Sequence, residues 1–513
     1  MPEALTLAAD DWSLTLLRNR LGDRLEVEPK STLRVTFLDT FDWRLFNRGC
    51  RLTSERQDAR TSLHWCSPNR PHPYVLPVDR DIHFARDLPG GFLRSELVEV
   101  SGVRALLPIG AARVSRQYAR VLDAEGNTVA RLLVEDSTPL DCSKKIPGNP
   151  MRTVTVQPVG TARRAHDRLL RLLRDSGATD PPRIDVAAAA AEIRGRLPGD
   201  YSSKLQFTLR PDQRCDEVLR TILDSLRKTV AANVEGVLDD VDVEFLHDLR
   251  VACRRARSAL SQIKGALRQP DADNLATEIR WLCEVTNSCR DLDVYLLEMD
   301  GYRRQLEPAA NEIDGFDKLL RRERAKALRR VRGALRSKKF DGLMAEWSLL
   351  VAPDNSEMEA PHAAPPVGEI AGKKILKAYR KMVKRGARLS DPPPAEDLHR
   401  LRIDAKKLRY LLEFFGGLYA RKTIARLVKE LKLFQDILGG SNDMAVQQRH
   451  LAVFAETLMA EGSTRAGTVF AMGRLADMMA DRQEVYVTAF AERFQLFAGD
   501  TSRRLYNKTF GEG

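Results

Sequence analysis

The chain carries one charged helix twice. Phe245 to Ile263 reads FLHDLRVACRRARSALSQI, and Leu398 to Phe415 reads LHRLRIDAKKLRYLLEFF. Aligned on the histidine, both copies run His, Leu at +2, Arg at +3, an aliphatic residue at +4, two cations at +7 and +8, and Arg at +10. The pairs are His247/His399, Arg250/Arg402, Arg254/Lys406, Arg255/Lys407 and Arg257/Arg409, each 152 residues apart. At about 100° per residue, His247, Arg250, Arg254 and Arg257 fall within about 80° of one helix face. Leu249, Ala252, Ala256, Leu260 and Ile263 fall opposite, so each copy has an apolar back and a cationic front.

The flanks repeat as well. ILDSLRKTV (222–230) aligns with ILKAYRKMV (375–383), which pairs Arg227 and Lys228 with Arg380 and Lys381, and Arg220 with Lys373. WLCEVTNSCRDLDV (281–294) aligns with LFQDILGGSNDMAV (433–446), pairing Arg280 with Lys432 and Asp291 with Asp443. Matching order, spacing and charge across three helices signals a duplicated helical bundle. Two repeats of about four helices each are expected to pack as one pseudo-symmetric α-helical domain.

The remainder has a different texture. With 513 residues, two to four domains are expected. Residues 1–160 are β-rich, with short alternating runs such as LRVTFLDT and ARLLVED punctuated by AEGN and DLPGG. ARRAHDRLLRLLRDSG then reads as an amphipathic helix ending at a glycine. The expected organisation is a β-rich domain over 1–178, a connector with a short alanine-rich helix over 179–205, and a first helical half over 206–350. A linker over 351–367 (VAPDNSEMEAPHAAPPV) and a second half over 368–510 follow. The fold class is α+β multidomain.

No run of about 18 uncharged apolar residues is present, so no transmembrane helix is expected. The start, MPEALTLAADDW, lacks the basic and apolar regions of a secretory leader. Seven cysteines without a CxxC pair, among them Cys253, Cys283 and Cys289 in apolar helical patterns, predict buried thiols in a reducing cytoplasm. The net charge of +12 is spread as 30 Lys+Arg against 26 Asp+Glu in residues 1–200 and 53 against 45 beyond. Its placement therefore matters more than its total.

Cations at +3, +7 and +10 recur roughly every 5 Å along a helix edge, a spacing comparable to that of phosphates along a chain. Arginine supplies paired donors, lysine a mobile point charge, and histidine a donor that charges below about pH 6.5. If Arg220/Arg227, the His-Arg helix and Arg280 of each half converged, the like charges would cost folding free energy unless an anion lay between them. The competing reading is a solvated face paired with Asp248, Asp404 and Glu413, and it is stronger for Arg255 and Lys407, which point nearer the flank. Metal binding fits poorly, because no second ligand lies at metal spacing on that face. Duplex DNA is a competitor through its backbone, but there is no recognition-helix unit and no aromatic residue interleaved for stacking bases.

These motifs, HDLRVACRRARSAL, CRDLDV, HRLRIDAKKLRYLLE and LGGSND, resemble the CHAD family of histidine-bearing α-helical repeats over about residues 206–510. The resemblance implies two four-helix bundles around a basic cleft that binds inorganic polyphosphate, often on polyphosphate granules. It carries over to His247, Arg250, Arg254, Arg255, Arg257, His399, Arg402, Lys406, Lys407 and Arg409. The repeat alignment adds Arg220, Arg227, Lys228, Arg280, Lys373, Arg380, Lys381 and Lys432.

The N-terminal region resembles the CYTH family of triphosphate tunnel enzymes through VTFLDTFDWRLFNRGCRLTSER and ARVLDAEGNTVARLLVED. That resemblance implies an antiparallel β tunnel or barrel-like domain. The first strand, EALTLAA, has Leu5 and Leu7 where charges should alternate. Thr53 and Glu55 replace the paired arginines, and TVTVQPVG has no carboxylate. Metal-assisted phosphoanhydride cleavage therefore lacks its Mg²⁺ ligands, although Arg113, Arg116, Arg120, Arg131, Lys144 and Lys145 are candidates to hold an anion. The expected function is non-catalytic polyphosphate binding in the cytoplasm, without metal or cofactor, with granule proteins as further partners. A triphosphate-processing metalloenzyme and a nucleic-acid backbone binder are the rivals.

Overall fold

A computed structural model describes residues 5–8, 13–70, 72–140, 151–159, 163–179, 185–352, 363–462 and 464–511. Cys142, Lys144, Lys145 and residues 353–362 of the expected linker lie outside the described residues, as do the side chains of Leu5 and Leu7. The chain divides into two compact units, Met1–Ser202 and Ser203–Gly513. No helix among the described residues is long and apolar enough to cross a membrane.

The first unit is built on a nine-stranded antiparallel sheet. Its strands are β1 (Leu5–Ala8), β2 (Leu25–Val27), β3 (Ser31–Asp39), β4 (Arg51–Gln57), β5 (Arg60–Cys66), β6 (Tyr74–Val78), β7 (Leu107–Leu122), β8 (Thr128–Leu140) and β9 (Met151–Pro158). The order is β1-β9-β8-β7-β3-β4-β5-β6, with β2 paired to β7. Five helices accompany it: α1 (Leu14–Leu21), α2 (Arg44–Asn47), α3 (Phe92–Ser101), α4 (Arg163–Asp175) and α5 (Val186–Glu192).

Strand alternation sorts the side chains. On one face, Ala119, Val121, Leu132 and Val156 pack with Leu17 of α1 and Leu169 and Leu173 of α4. Leu52, Leu63 and Trp65 pack with Leu45 of α2 and Leu93 and Leu97 of α3. The opposite parity forms a third cluster of Leu33, Val35, Phe37, Ala112 and Val114, and here Ala190 of α5 is buried. A Cβ on Gly110 of β7 would stand 2.6 Å from the Ala190 carbonyl carbon, so this approach needs glycine. The alanine-rich helix expected in the connector is thus packed into the first unit.

The second unit is all α. Its first half comprises α6 (Cys215–Asp239), α7 (Val243–Gln262), α8 (Gln269–Gln305), α9 (Asp314–Leu335) and α10 (Lys338–Val351). The second comprises α11 (Val367–Gly386), α12 (Ala395–Phe415), α13 (Arg421–Ala460), α14 (Ala466–Ala498) and α15 (Asp500–Phe510). In each half four long helices pack in chain order, as the repeat predicts. Each half adds a short fifth helix that returns to the first: α10 to α6, and α15 to α11. The cationic copies fall on α7 and α12, where Leu249, Ala252, Ala256, Leu401, Ala405 and Leu408 are buried on the apolar backs.

The halves meet along a seam. α7 touches α12, and α9 touches both α13 and α14. Phe316 and Phe454 bring their rings to 5.7 Å. Tyr295 Oη donates to the Gln447 carbonyl at 3.2 Å, and these two residues are themselves 152 apart. Asp291 and Asp443, also 152 apart, are near enough for their charges to interact. Contacts between repeat-equivalent residues mark a pseudo-twofold axis at the seam.

Candidate functional site

Six cations on α7 and α12 form a continuous set across that seam. Arg250 is buried and anchors α7 to α8: its Nη1 donates to the Cys283 carbonyl (2.7 Å) and Thr286 Oγ1 (2.6 Å), and its Nη2 donates to Asn287 Oδ1 (2.7 Å). Burial, with the charge of Arg254 beside it, pushes its pKa below the ordinary guanidinium range. Its equivalent Arg402 instead pairs with Asp443 at 2.9 Å. The buried Nε of Arg254 has no hydrogen-bond partner, and Arg257 enters none of the described ion pairs.

Lys406 shows how closely these charges crowd. Burial, then the charges of Arg402 and Arg254, and more weakly Arg409, push its ammonium down to about 8, against a pull from Asp443. Arg254 belongs to the first half, the others to the second. Arg409 Nε lies 3.3 Å from Glu413 Oε1, though that buried N–H is left without a hydrogen bond. Arg250, Arg254 and Arg257 act together on Cys283, so Arg254 links the two groups of cations.

The other expected residues separate from this set. Arg255 donates through Nε and Nη2 to Glu413 Oε2 and through Nη1 to the Ser203 carbonyl, which makes it a tie between the halves. Arg220 donates to the Leu350 and Ala352 carbonyls at the end of α10. Arg227 and Lys228 both pair with Asp224. Lys381, together with Arg385, pairs with Asp404, and Arg380 reaches Asn507 Oδ1 at 3.4 Å. Arg280, Lys373, Lys407 and Lys432 are exposed and enter none of the described ion pairs. The exposed His399 has Nδ1 at 2.7 Å from Asn442 Oδ1, so the ring donates there; His247 is half-buried on α7. Sequence reasoning missed Asn287, Asn442, Asp443 and Cys283 as members of the site's surroundings. The alignment of Asp291 with Asp443 was the available signal for one of them.

In the first unit, the face on which α5 packs carries Glu55 of β4 and Glu135 of β8, on strands other than EALTLAA and TVTVQPVG. Arg116 Nη1 donates to Glu55 Oε2 at 2.9 Å and its Nε to Glu135 Oε1 at 2.9 Å. His64 lies beside them, 3.5 Å from Glu55 and 3.0 Å from Ser62 Oγ, and burial holds its pKa below the usual range. Each carboxylate is thus already paired with a cation. Among the described residues no three His, Cys, Asp or Glu side chains gather as metal ligands would. Of the other candidate anion holders, Arg120 pairs with Glu26, while Arg113 and Arg131 are exposed.

Fold and site together define a protein with an antiparallel sheet unit and a duplicated helical unit whose halves share a cationic seam. Residues 221–452 match the CHAD domain family, and this part of the chain is a CHAD domain. The uncharacterized protein Rv2226 of Mycobacterium tuberculosis is 26% identical over 335 residues, covering 61% of this chain and 61% of that protein. The match therefore spans about three-fifths of the curated relative's length. Among solved structures, the CHAD domain from the plant Ricinus communis is 26% identical with a TM-score of 0.49, covering 57% of this chain and 96% of that one. PptA from Streptomyces chartreusis is 18% identical with a TM-score of 0.45, covering 55% and 100%. HpAC1 from Hippeastrum, reported with a dominant triphosphatase activity, is 16% identical with a TM-score of 0.27, covering 39% and 99%.

Proposed function

We propose that this chain is a non-catalytic binder of inorganic polyphosphate, holding the polymer across the seam between α7 and α12. The observation that carries the reading is the convergence of Arg254 from one half with Arg402, Lys406 and Arg409 from the other, crowded enough to depress the Lys406 ammonium. Such crowding costs free energy in the unliganded protein, and an anion offsets it. A linear phosphate chain needs repeated charge-assisted hydrogen bonds and no base readout, and the cations of α7 and α12 supply such donors. The CHAD family match supports the same ligand class. Localisation to polyphosphate granules in the cytoplasm follows as part of the proposal.

The test is titration of the full chain with long-chain polyphosphate. Changing Arg254 and Lys406 together to alanine is expected to weaken binding by about 100-fold or more, since each charge-assisted contact contributes about 1.5–3 kcal/mol. Unchanged binding overturns the assignment. Displacement of polyphosphate by duplex DNA at equal phosphate concentration identifies a general nucleic-acid backbone binder instead. Magnesium-dependent phosphate release from triphosphate overturns the non-catalytic part.

A further inference from the structure

Cys253 lies one helical turn beyond Arg250 on α7, and Cys283 lies one turn before Thr286 and Asn287 on α8. The three bonds from Arg250 to Cys283, Thr286 and Asn287 set the register of the two helices. In that register the Cys253 and Cys283 side chains lie close enough to act on one another. Cys253 is completely buried, whereas Cys283, expected to be a buried thiol, is partly exposed. Arg250, Arg257 and Arg254 of α7 all act on the Cys283 sulfur.

A partly exposed sulfur beside a buried thiol and facing three guanidinium groups is favoured as thiolate. The neighbouring Cys253 thiol and the arginines hold Cys283 well below the ordinary thiol range, while the Cys283 sulfur beside it and burial hold Cys253 above it. Burial pushes Cys50, Cys66, Cys215 and Cys289 up. Among the described cysteines, this pair alone joins an activated sulfur to a protonated thiol in contact with it.

We propose that Cys253 and Cys283 form a reversible oxidation site, with Cys283 as the peroxide-reactive sulfur and Cys253 as the thiol that resolves it. The Cys283 thiolate attacks a hydroperoxide; the S–O bond forms, the O–O bond breaks, and the other oxygen leaves as alkoxide or hydroxide beside the arginines. The Cys253 sulfur then attacks the sulfenic sulfur. An S–S bond forms, the S–O bond breaks, and the Cys253 proton leaves with the hydroxyl group as water. A dithiol reductant returns both thiols by exchange. The resulting disulfide would pin α7 to α8 at the turn where Arg250 already anchors them. This inference does not rest on the polyphosphate reading.

Two measurements on the full chain test it. In iodoacetamide alkylation mapped by peptide mass, Cys283 is expected to react at a nearly constant rate from pH 7 upward, while Cys50 and Cys66 rise about tenfold per pH unit. After hydrogen peroxide, the non-reduced peptide map is expected to contain the Cys253–Cys283 crosslink. Cys253→Ser, which keeps a hydroxyl donor in place, should instead leave a trappable sulfenic acid on Cys283. A Cys283 rate that climbs in parallel with that of Cys50, or a peroxide-treated wild-type map without the crosslink, overturns the proposal. Both decisive readouts use the wild-type chain, so a variant that fails to fold leaves the question decided.

Discussion

At the scale of the residue, Lys406 converts the electrostatics of the seam into a measurable titration. Its folded pKa is about 8 against 10.5 for the free side chain, through burial and the neighbouring Arg402, Arg254 and Arg409. Between those two values the unfolded chain binds a proton that the folded chain does not, so this group makes stability rise with pH across that window. Below pH 8 the cost of the charged form is constant. Lys406→Met should therefore stabilise the unliganded protein at pH 7, by on the order of 1–2 kcal/mol after allowance for partial solvation. Thermal melts of both proteins at pH 7 and 9.5 check this: the gap should narrow at the higher pH, and a constant gap contradicts it. Binding of a polyanion should take up a proton near pH 8, so affinity declines above that value in the wild type and less so in Lys406→Met.

Arg255 makes the opposite case. Its guanidinium is held by Glu413 and the Ser203 carbonyl, and both charged side chains are largely buried. Arg255→Ala leaves Glu413 with Arg409 alone, so a loss of roughly 2–3 kcal/mol in denaturant unfolding is expected. Polyphosphate affinity of the folded variant should change less than about threefold, where loss of a direct charged contact would cost about tenfold or more.

At the scale of the element, α5 is held by shape. Gly110→Val would place a side chain where the Ala190 backbone already stands. A destabilisation of about 2–3 kcal/mol is expected, from overpacking of that kind, with earlier proteolytic cleavage within Val186–Glu192. Unchanged cleavage would mean that α5 does not depend on this contact. The sequence shows α5 as a short helix but conceals its docking, because five consecutive alanines carry no hydrophobic period and the run reads as a connector. The doubled helix of α7 and α12 was legible for the converse reason: its chemistry is written in spacing, and spacing survives translation into a helix face. Which cations stay available was not legible. Arg220 is consumed by the carbonyl end of α10, 130 residues away, and Arg255 by a glutamate 158 residues away. The same limit applies to Glu55 and Glu135, which converge on Arg116 only once β4, β7 and β8 share a sheet. Pairing of this kind is tertiary, and no local pattern announces it.

At the scale of the helical unit, the 152-residue offset becomes a symmetry. Tyr295 meets Gln447 and Asp291 approaches Asp443 because equivalent positions face one another across the seam. A pseudo-twofold arrangement places Arg254 and Lys406, also equivalent, close to one another, so under the proposed function the two cationic helices act as one site. A polymer spanning that site should bind with one segment per chain, whereas two separate helix faces would bind two. The salt dependence reports the extent of the contact. If all six cations engage phosphates, the slope of log K against log salt should be about −4, by analogy with single-stranded polyanions at −0.7 per contact. Removing Arg254 should reduce it by about 0.7, and so should removing Lys406, although the two residues come from different halves. Calorimetry between 50 and 200 mM salt, the range over which such contacts are resolved, measures stoichiometry and slope together. Two segments per chain, or a slope altered by one substitution but not by its equivalent, would locate the polymer on one helix and remove the seam as the binding element.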